Sequence, residues 1–78
     1  MNVSLRQLRA FLAVARLGSF SRAAESLHVT QSALSGLIKE LEHVLGVPVF
    51  DRSTRKIQLA EVGRKLQPIV EKVIQDLD

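Results

Sequence analysis

The chain has 78 residues, a net charge of +3 and a pI near 10.0, which bounds it to one small domain. It contains no cysteine, and this excludes a disulfide framework, a thiolate nucleophile and a Cys-based zinc site, and suits a reducing cytosol. Its longest apolar run, residues 10–15, is far too short to span a bilayer, and the N-terminus lacks the basic, apolar and small-residue sections of a signal peptide.

The charge is unevenly placed. Arg6, Arg9, Arg16 and Arg22 precede the first acid, Glu25. Arg52, Arg55 and Lys56 cluster later, and the residues after Val70 include Glu71, Asp76 and Asp78 beside Lys72. A basic body with an acidic tail suits either a polyanionic partner or simply a soluble surface. A chain of this size hides only about 60% of its unfolded surface, so its core is marginal unless a partner adds to it.

A first helix is expected after Ser4, because Ser4 and Gln7 have the spacing of a capping box flanked by Val3 and Leu8. Leu5, Leu8, Phe11, Leu12 and Ala15 recur at helical spacing and predict its buried face. Gly18 marks the stop. Ser19 is placed to cap a second helix, with Phe20 as an apolar anchor for the core.

The stretch from Phe20 to Lys39 organises the rest. Ala23, Ala24 and Leu27 form an apolar stripe, the break His28-Val29-Thr30 follows, and a second stripe starts at Leu34. Thr30 is a good N-cap, and Val29 and Leu34 can close a hydrophobic staple. The two alanines let two helices cross closely. This is the pattern of a helix-turn-helix, whose second helix enters the major groove of DNA.

The third helix is expected from Gln31 to about Leu45, with Gly46 as its stop. Leu34, Leu37, Ile38, Leu41 and Leu45 point inward, leaving Ser32, Ser35, Gly36, Lys39 and His43 on the opposite face. Short strands are expected at Val49-Phe50 and Lys56-Ile57-Gln58-Leu59, with a basic loop between them that has the position of a wing.

A last helix begins at Glu61. Val62, Leu66, Ile69, Val73 and Leu77 step like a coiled-coil seam, and little apolar surface upstream remains to cover them. A projecting helix paired with a second copy of itself is the expected solution. Pro68 should kink it, and Ala60 stands where a capping Ser or Thr is expected, so this helix depends on packing.

Gln31 opens the reading helix, and a glutamine can bond adenine N6 and N7 together. Ser32 and Ser35 can donate to phosphates or base edges. Arg52, Arg55 and Lys56 can neutralise phosphates. His28 and His43 have no partner at metal-ligand spacing, and Glu40, Glu42 and His43 read as an ordinary solvated face, so no metal or cofactor is expected. No phosphate-binding glycine loop, zinc-protease motif or nucleophile elbow occurs, and no enzyme is expected. The rival reading is a helical protein-interaction module, but the small polar outward face of the third helix lacks the aromatics and leucines such a surface presents.

The segments LRQLRAFLAVARLGSFSRAAESLHVTQSALS and LEHVLGVPVFDRSTRKIQL closely resemble the N-terminal domain of LysR-type transcriptional regulators. The similarity covers residues 5–63 without a gap, through G-S-F-S-x-A-A, T-Q-S-A-L-S, L-E-x-x-L-G-V-x-V-F-x-R and the L-x-x-x-G ending. It implies a mainly α winged helix-turn-helix over residues 1–60, with a three-helix core and a two-stranded wing, then a long dimerisation linker helix over residues 61–78. By similarity Ser21 and Arg22 lie near the DNA backbone, and Thr30, Gln31, Ser32, Ser35 and Gly36 face the groove, with Lys39 counted beside them. Arg52, Ser53 and Arg55 make the wing contact, and Val62, Leu66, Ile69, Val73 and Leu77 the dimer seam. The resemblance further implies a cytoplasmic bacterial regulator binding an inverted repeat of double-stranded DNA as a homodimer. Such proteins usually continue into an effector-binding domain, absent from these 78 residues, and often form homotetramers. Two positions depart from the family. Gly36 stands where arginine is common, and Ala60 where the linker-helix cap is common.

Overall fold

The computed structural model describes residues 3–52 and 57–77. Four helices and one hairpin follow in the order α1 (Leu5–Leu17), α2 (Phe20–Leu27), α3 (Gln31–Leu45), β1 (Phe50–Asp51), β2 (Gln58–Leu59) and α4 (Glu61–Leu77). The fold is mainly helical, with a three-helix core, a small two-stranded wing and a long last helix.

Each early boundary has its local cause. The Ser4 hydroxyl accepts from the Gln7 N–H at 3.1 Å while the Gln7 side chain accepts from the Ser4 N–H at 3.2 Å, closing the expected capping box. Gly18 and Gly46 end α1 and α3 in the left-handed region, at φ of 66° and 76°. His28 takes the same geometry at the end of α2, with φ of 59°. There the N–H groups of His28 and Val29 bond back to the carbonyls of Glu25 and Ala24. That tight reversal sets α2 against α3, and Ala23 and Ala24 are buried as the close crossing requires.

The buried face of α1 keeps most of the stripe expected from periodicity, with Phe11 and Leu12 buried and Leu8 and Ala15 packed against the core, but it is wider than that stripe. Gln7, Ala10, Phe11, Leu12 and Val14 are the buried residues, whereas Leu5 is 41% exposed and Leu8 and Ala15 are half-buried. The reason is position: α1 is packed by α2, α3 and α4 together, so more than one face is covered. Gln7 is buried without penalty because its Nε2 donates to the Glu40 carboxylate at 3.3 Å. Glu40 and Glu42 are therefore not merely solvated. Glu42 accepts the Val49 N–H at 2.8 Å and ties the end of α3 to the chain entering the wing.

The inner face of α3 is as expected, with Leu34, Ile38 and Leu41 buried and Leu37 and Leu45 packed at the margin. β1 and β2 pair antiparallel, Phe50 opposite Leu59 and Asp51 opposite Gln58. The first strand thus lies one residue later than expected, and Ile57 falls outside the second. Lys56, with residues 53–55, lies outside the described residues.

The helix α4 does not simply project. Val70 and Ile74 are buried in the core and Val62 and Leu66 pack against it, while Arg16 of α1 meets Glu71 at 3.4 Å. The apolar arc of α4 is broad. Successive residues advance by about 100°, so Gly63, Val70 and Ile74 lie along one edge and Ile69 and Val73 along the other. The first edge covers the body; Ile69, Val73 and Leu77 stay exposed, at 61%, 39% and 61%. The helix runs through Pro68. Lacking a capping side chain, its start is instead anchored by the Ala60 N–H, which donates to the Val49 carbonyl at 2.9 Å.

Candidate nucleic-acid interface

Two caps present the outer surface. Ser19 Oγ accepts from the Arg22 N–H at 3.1 Å and starts α2, which leaves Ser21 and Arg22 exposed in its first turn. Thr30 Oγ1 accepts from the Ala33 N–H at 3.0 Å and starts α3, with Gln31 and Ser32 exposed just beyond. The Thr30 oxygen is thus committed first to holding the helix.

One open hollow then gathers side chains from three parts of the chain. It is lined by Gly18, Ser19, Phe20, Ser21, Gln31, Ser35, Arg52 and Ile57. Four of the residues singled out from sequence, Ser21, Gln31, Ser35 and Arg52, therefore share one surface. Arg22 adjoins it on α2, Thr30 caps α3 next to Gln31, and Ser32 and Gly36 lie on α3 beside those lining residues. Lys39, one turn beyond Ser35 on the same exposed face of α3, does not line this hollow but the neighbouring ones, with Glu40 and His43 and with Glu42 and Gly46. Ser53 and Arg55 lie outside the described residues.

Phe20 carries more than sequence reading assigned to it. The guanidinium carbon of Arg52 lies 4.9 Å from the centre of the Phe20 ring. Phe20 meets Phe50 edge-on at 6.0 Å, and Phe50 meets Phe11 at 5.5 Å. Arg52 thus caps a row of aromatic rings rooted in the core. Only the tertiary pairing of the wing with α2 brings Phe20 and Arg52 together, so no local motif announces the contact.

Chemically the surface offers hydroxyls, a carboxamide and a guanidinium. These donate to phosphate oxygens and to base edges. Among the described residues no group of three His, Asp or Glu side chains is placed to hold a metal ion. Nor is any described helix long and apolar enough to cross a membrane.

A three-helix core, a sharply turned pair of helices with a small polar outer face, and an antiparallel hairpin beside it define a winged helix-turn-helix, a DNA-binding class. Residues 5–64 match the family model for the bacterial regulatory helix-turn-helix protein, lysR family, and the chain belongs to that family. It is a DNA-binding regulatory domain, not a catalytic fold.

Over 78 residues the chain is 44% identical to the uncharacterized HTH-type transcriptional regulator YfeR of Shigella flexneri, covering 100% of itself and 25% of that relative. It thus spans a quarter of that protein's length. Among solved structures it is similar to VV2_1132, a LysR family transcriptional regulator, with a TM-score of 0.90 and 40% identity over 99% of this chain and 26% of that one. It is also similar to the protein in the BenM_DBD/benA site 1 DNA complex, with a TM-score of 0.92 and 33% identity over 96% of this chain and 84% of that one.

Proposed function

We propose that this chain is the sequence-specific DNA-binding part of a bacterial transcription regulator that binds an inverted-repeat operator as a dimer. In this reading α3 lies in the major groove, where Gln31 and Ser32 read bases and Ser35 and Gly36 allow close approach. Ser21 and Arg22 lie toward the backbone, Thr30 faces the groove at the start of α3, Lys39 supplies charge at the far end of the face, and the wing holds phosphates through Arg52, Ser53 and Arg55.

The observation that carries the proposal is the meeting of Ser21, Gln31, Ser35 and Arg52 around one open hollow. Elements distant in sequence place hydrogen-bond donors on a common uncharged-to-basic surface, which a duplex can engage all at once. The likeness to a protein solved with DNA points the same way.

Dimerisation is supported by the uncovered edge of α4. Ile69, Val73 and Leu77 form an apolar stripe that the body leaves in solvent. A second copy of α4 would cover it and extend the seam toward Leu66 and Val62. Residues 1–60 then act as the DNA-binding unit and residues 61–78 as the linker helix. A protein of the relatives' length would add an effector-binding domain, assemble as a homotetramer and work in the cytoplasm.

Selection of bound fragments from a random duplex pool tests the reading, followed by gel shifts at two salt concentrations. The expected product is a motif with two inverted half-sites, bound more tightly than random duplex and more weakly as salt rises. A pool that never enriches would refute it.

A further inference from the structure

We propose that Phe20 is a positioning residue for DNA binding. Its ring holds the Arg52 guanidinium against the start of α2, beside Ser21, Gln31 and Ser35, before any duplex arrives. The inference rests on the reading of Arg52 as a phosphate contact.

An exposed arginine samples many rotamers, and fixing it on a ligand forfeits that freedom. Arg52 is exposed, yet its guanidinium carbon lies 4.9 Å from the Phe20 ring centre, within the range where a ring quadrupole attracts a cation. The ring is itself restrained. Phe20 sits edge-on to Phe50, which is 3% exposed and packs on the fully buried Phe11. Part of the ordering of Arg52 is therefore accomplished when the protein folds.

The contact also leaves the guanidinium able to work. A ring face attracts the cation without consuming the fork of N–H donors that matches a phosphate. Nor is Phe20 merely a core anchor. It is only half-buried, and Arg52 lies over its ring while both side chains line the hollow that holds Gln31 and Ser35. A leucine would fill the apolar site as well but would offer no ring.

The test is a double-mutant cycle on the selected duplex with the full 78-residue chain, using Phe20→Leu, Phe20→Trp, Arg52→Ala and the Phe20→Leu/Arg52→Ala pair. All variants are compared under conditions where circular dichroism shows them folded. Phe20→Leu should weaken binding about two- to fivefold per protomer, the scale of an exposed cation–ring contact. Phe20→Trp should restore it, and Phe20→Leu should add nothing once Arg52 is alanine. In the free protein, proton NMR should show the Arg52 side-chain resonances displaced by the ring current, and the displacement should vanish in Phe20→Leu and persist in Phe20→Trp. Equal losses for Phe20→Leu with and without Arg52, or Arg52 resonances indifferent to the ring, would reduce Phe20 to packing and overturn the inference while leaving the DNA-binding reading intact. An Arg52→Ala variant with unchanged affinity and salt slope would instead overturn the wing reading itself, and this inference with it.

Discussion

Gly63 lies directly on the backbone carbonyl of Val49, whose oxygen occupies the space that a side chain at Gly63 would need. The same carbonyl accepts the Ala60 N–H, so the first turn of α4 is pressed onto the strand segment that leads into the wing. Gly63 is buried, and the Leu59 side chain closes the site from another side. Because the obstacle is backbone, it cannot swing away. Gly63→Ala should destabilise the fold by about 1–3 kcal/mol, as overfilling a packed site does, despite the gain in helix propensity. Urea unfolding at fixed protein concentration measures this, and a variant as stable as the parent would show that α4 can shift without loss.

Gly36 is the opposite case. It lies within α3, yet a Cβ built there meets no atom of the described residues within 4 Å beyond its own stretch of helix. Packing among the described residues therefore leaves room for a side chain at this point, and a glycine in a helix interior costs about 1 kcal/mol relative to alanine. Gly36→Ala should raise stability by about that amount. If α3 presses its backbone into a groove, the added methyl should also cost about 1–2 kcal/mol of affinity for the selected duplex, on the scale of an overfilled contact. More stable protein with weaker binding is the expected pair of results; unchanged binding would remove Gly36 from the contact surface.

The two glycines show why some of this molecule is legible in its sequence and some is not. Features set by neighbours in the chain could be read directly: the Ser4–Gln7 box, the Thr30 cap, the stops at Gly18 and Gly46, and α3 from Gln31 to Leu45. What failed was set by distant partners. Periodicity marks one buried face, and it found Leu8, Phe11, Leu12 and Ala15 but not Gln7, Ala10 and Val14, which are covered because α2, α3 and α4 all pack on α1. Glu42 reads as a surface acid until the wing brings the Val49 N–H to it. The stripe on α4 was visible, but not that Val70 and Ile74 on its flank would dock on the body and leave only Ile69, Val73 and Leu77 in solvent. The candidate site divides similarly. Helix phase places Gln31, Ser32, Ser35 and Lys39 on the outer side of α3, whereas the ring beneath Arg52 required the tertiary fold.

Gln31 supplies the test of base reading. It is exposed in the first turn of α3 and lines the hollow with Ser21, Ser35 and Arg52. A carboxamide that pairs with an adenine edge contributes only where that base is present. Gln31→Ala should therefore lose about 1–3 kcal/mol on the selected duplex and little on random DNA, with the salt slope unchanged. Fluorescence anisotropy on both duplexes measures the difference. Equal losses on the two would make Gln31 a backbone contact instead of a reader.

The proposed dimer is tested at the exposed positions of the seam. Leu66 packs against the core, so a charge there would disturb the fold as well as any interface. Ile69 and Val73 are exposed, at 61% and 39%, and stand on the edge of α4 away from Val70 and Ile74. Ile69→Glu with Val73→Glu should leave the helical circular dichroism intact, because neither side chain is buried in the protomer. Like charges brought together across a two-fold axis repel, and the apolar area that would drive association is lost. Sedimentation equilibrium should report a dimer for the parent and a monomer for the double variant. Affinity for the inverted repeat should fall toward that for one half-site, since the second half-site is no longer bound as part of the same molecule. If the double variant sediments as the parent does, the outer edge of α4 is not what joins two copies.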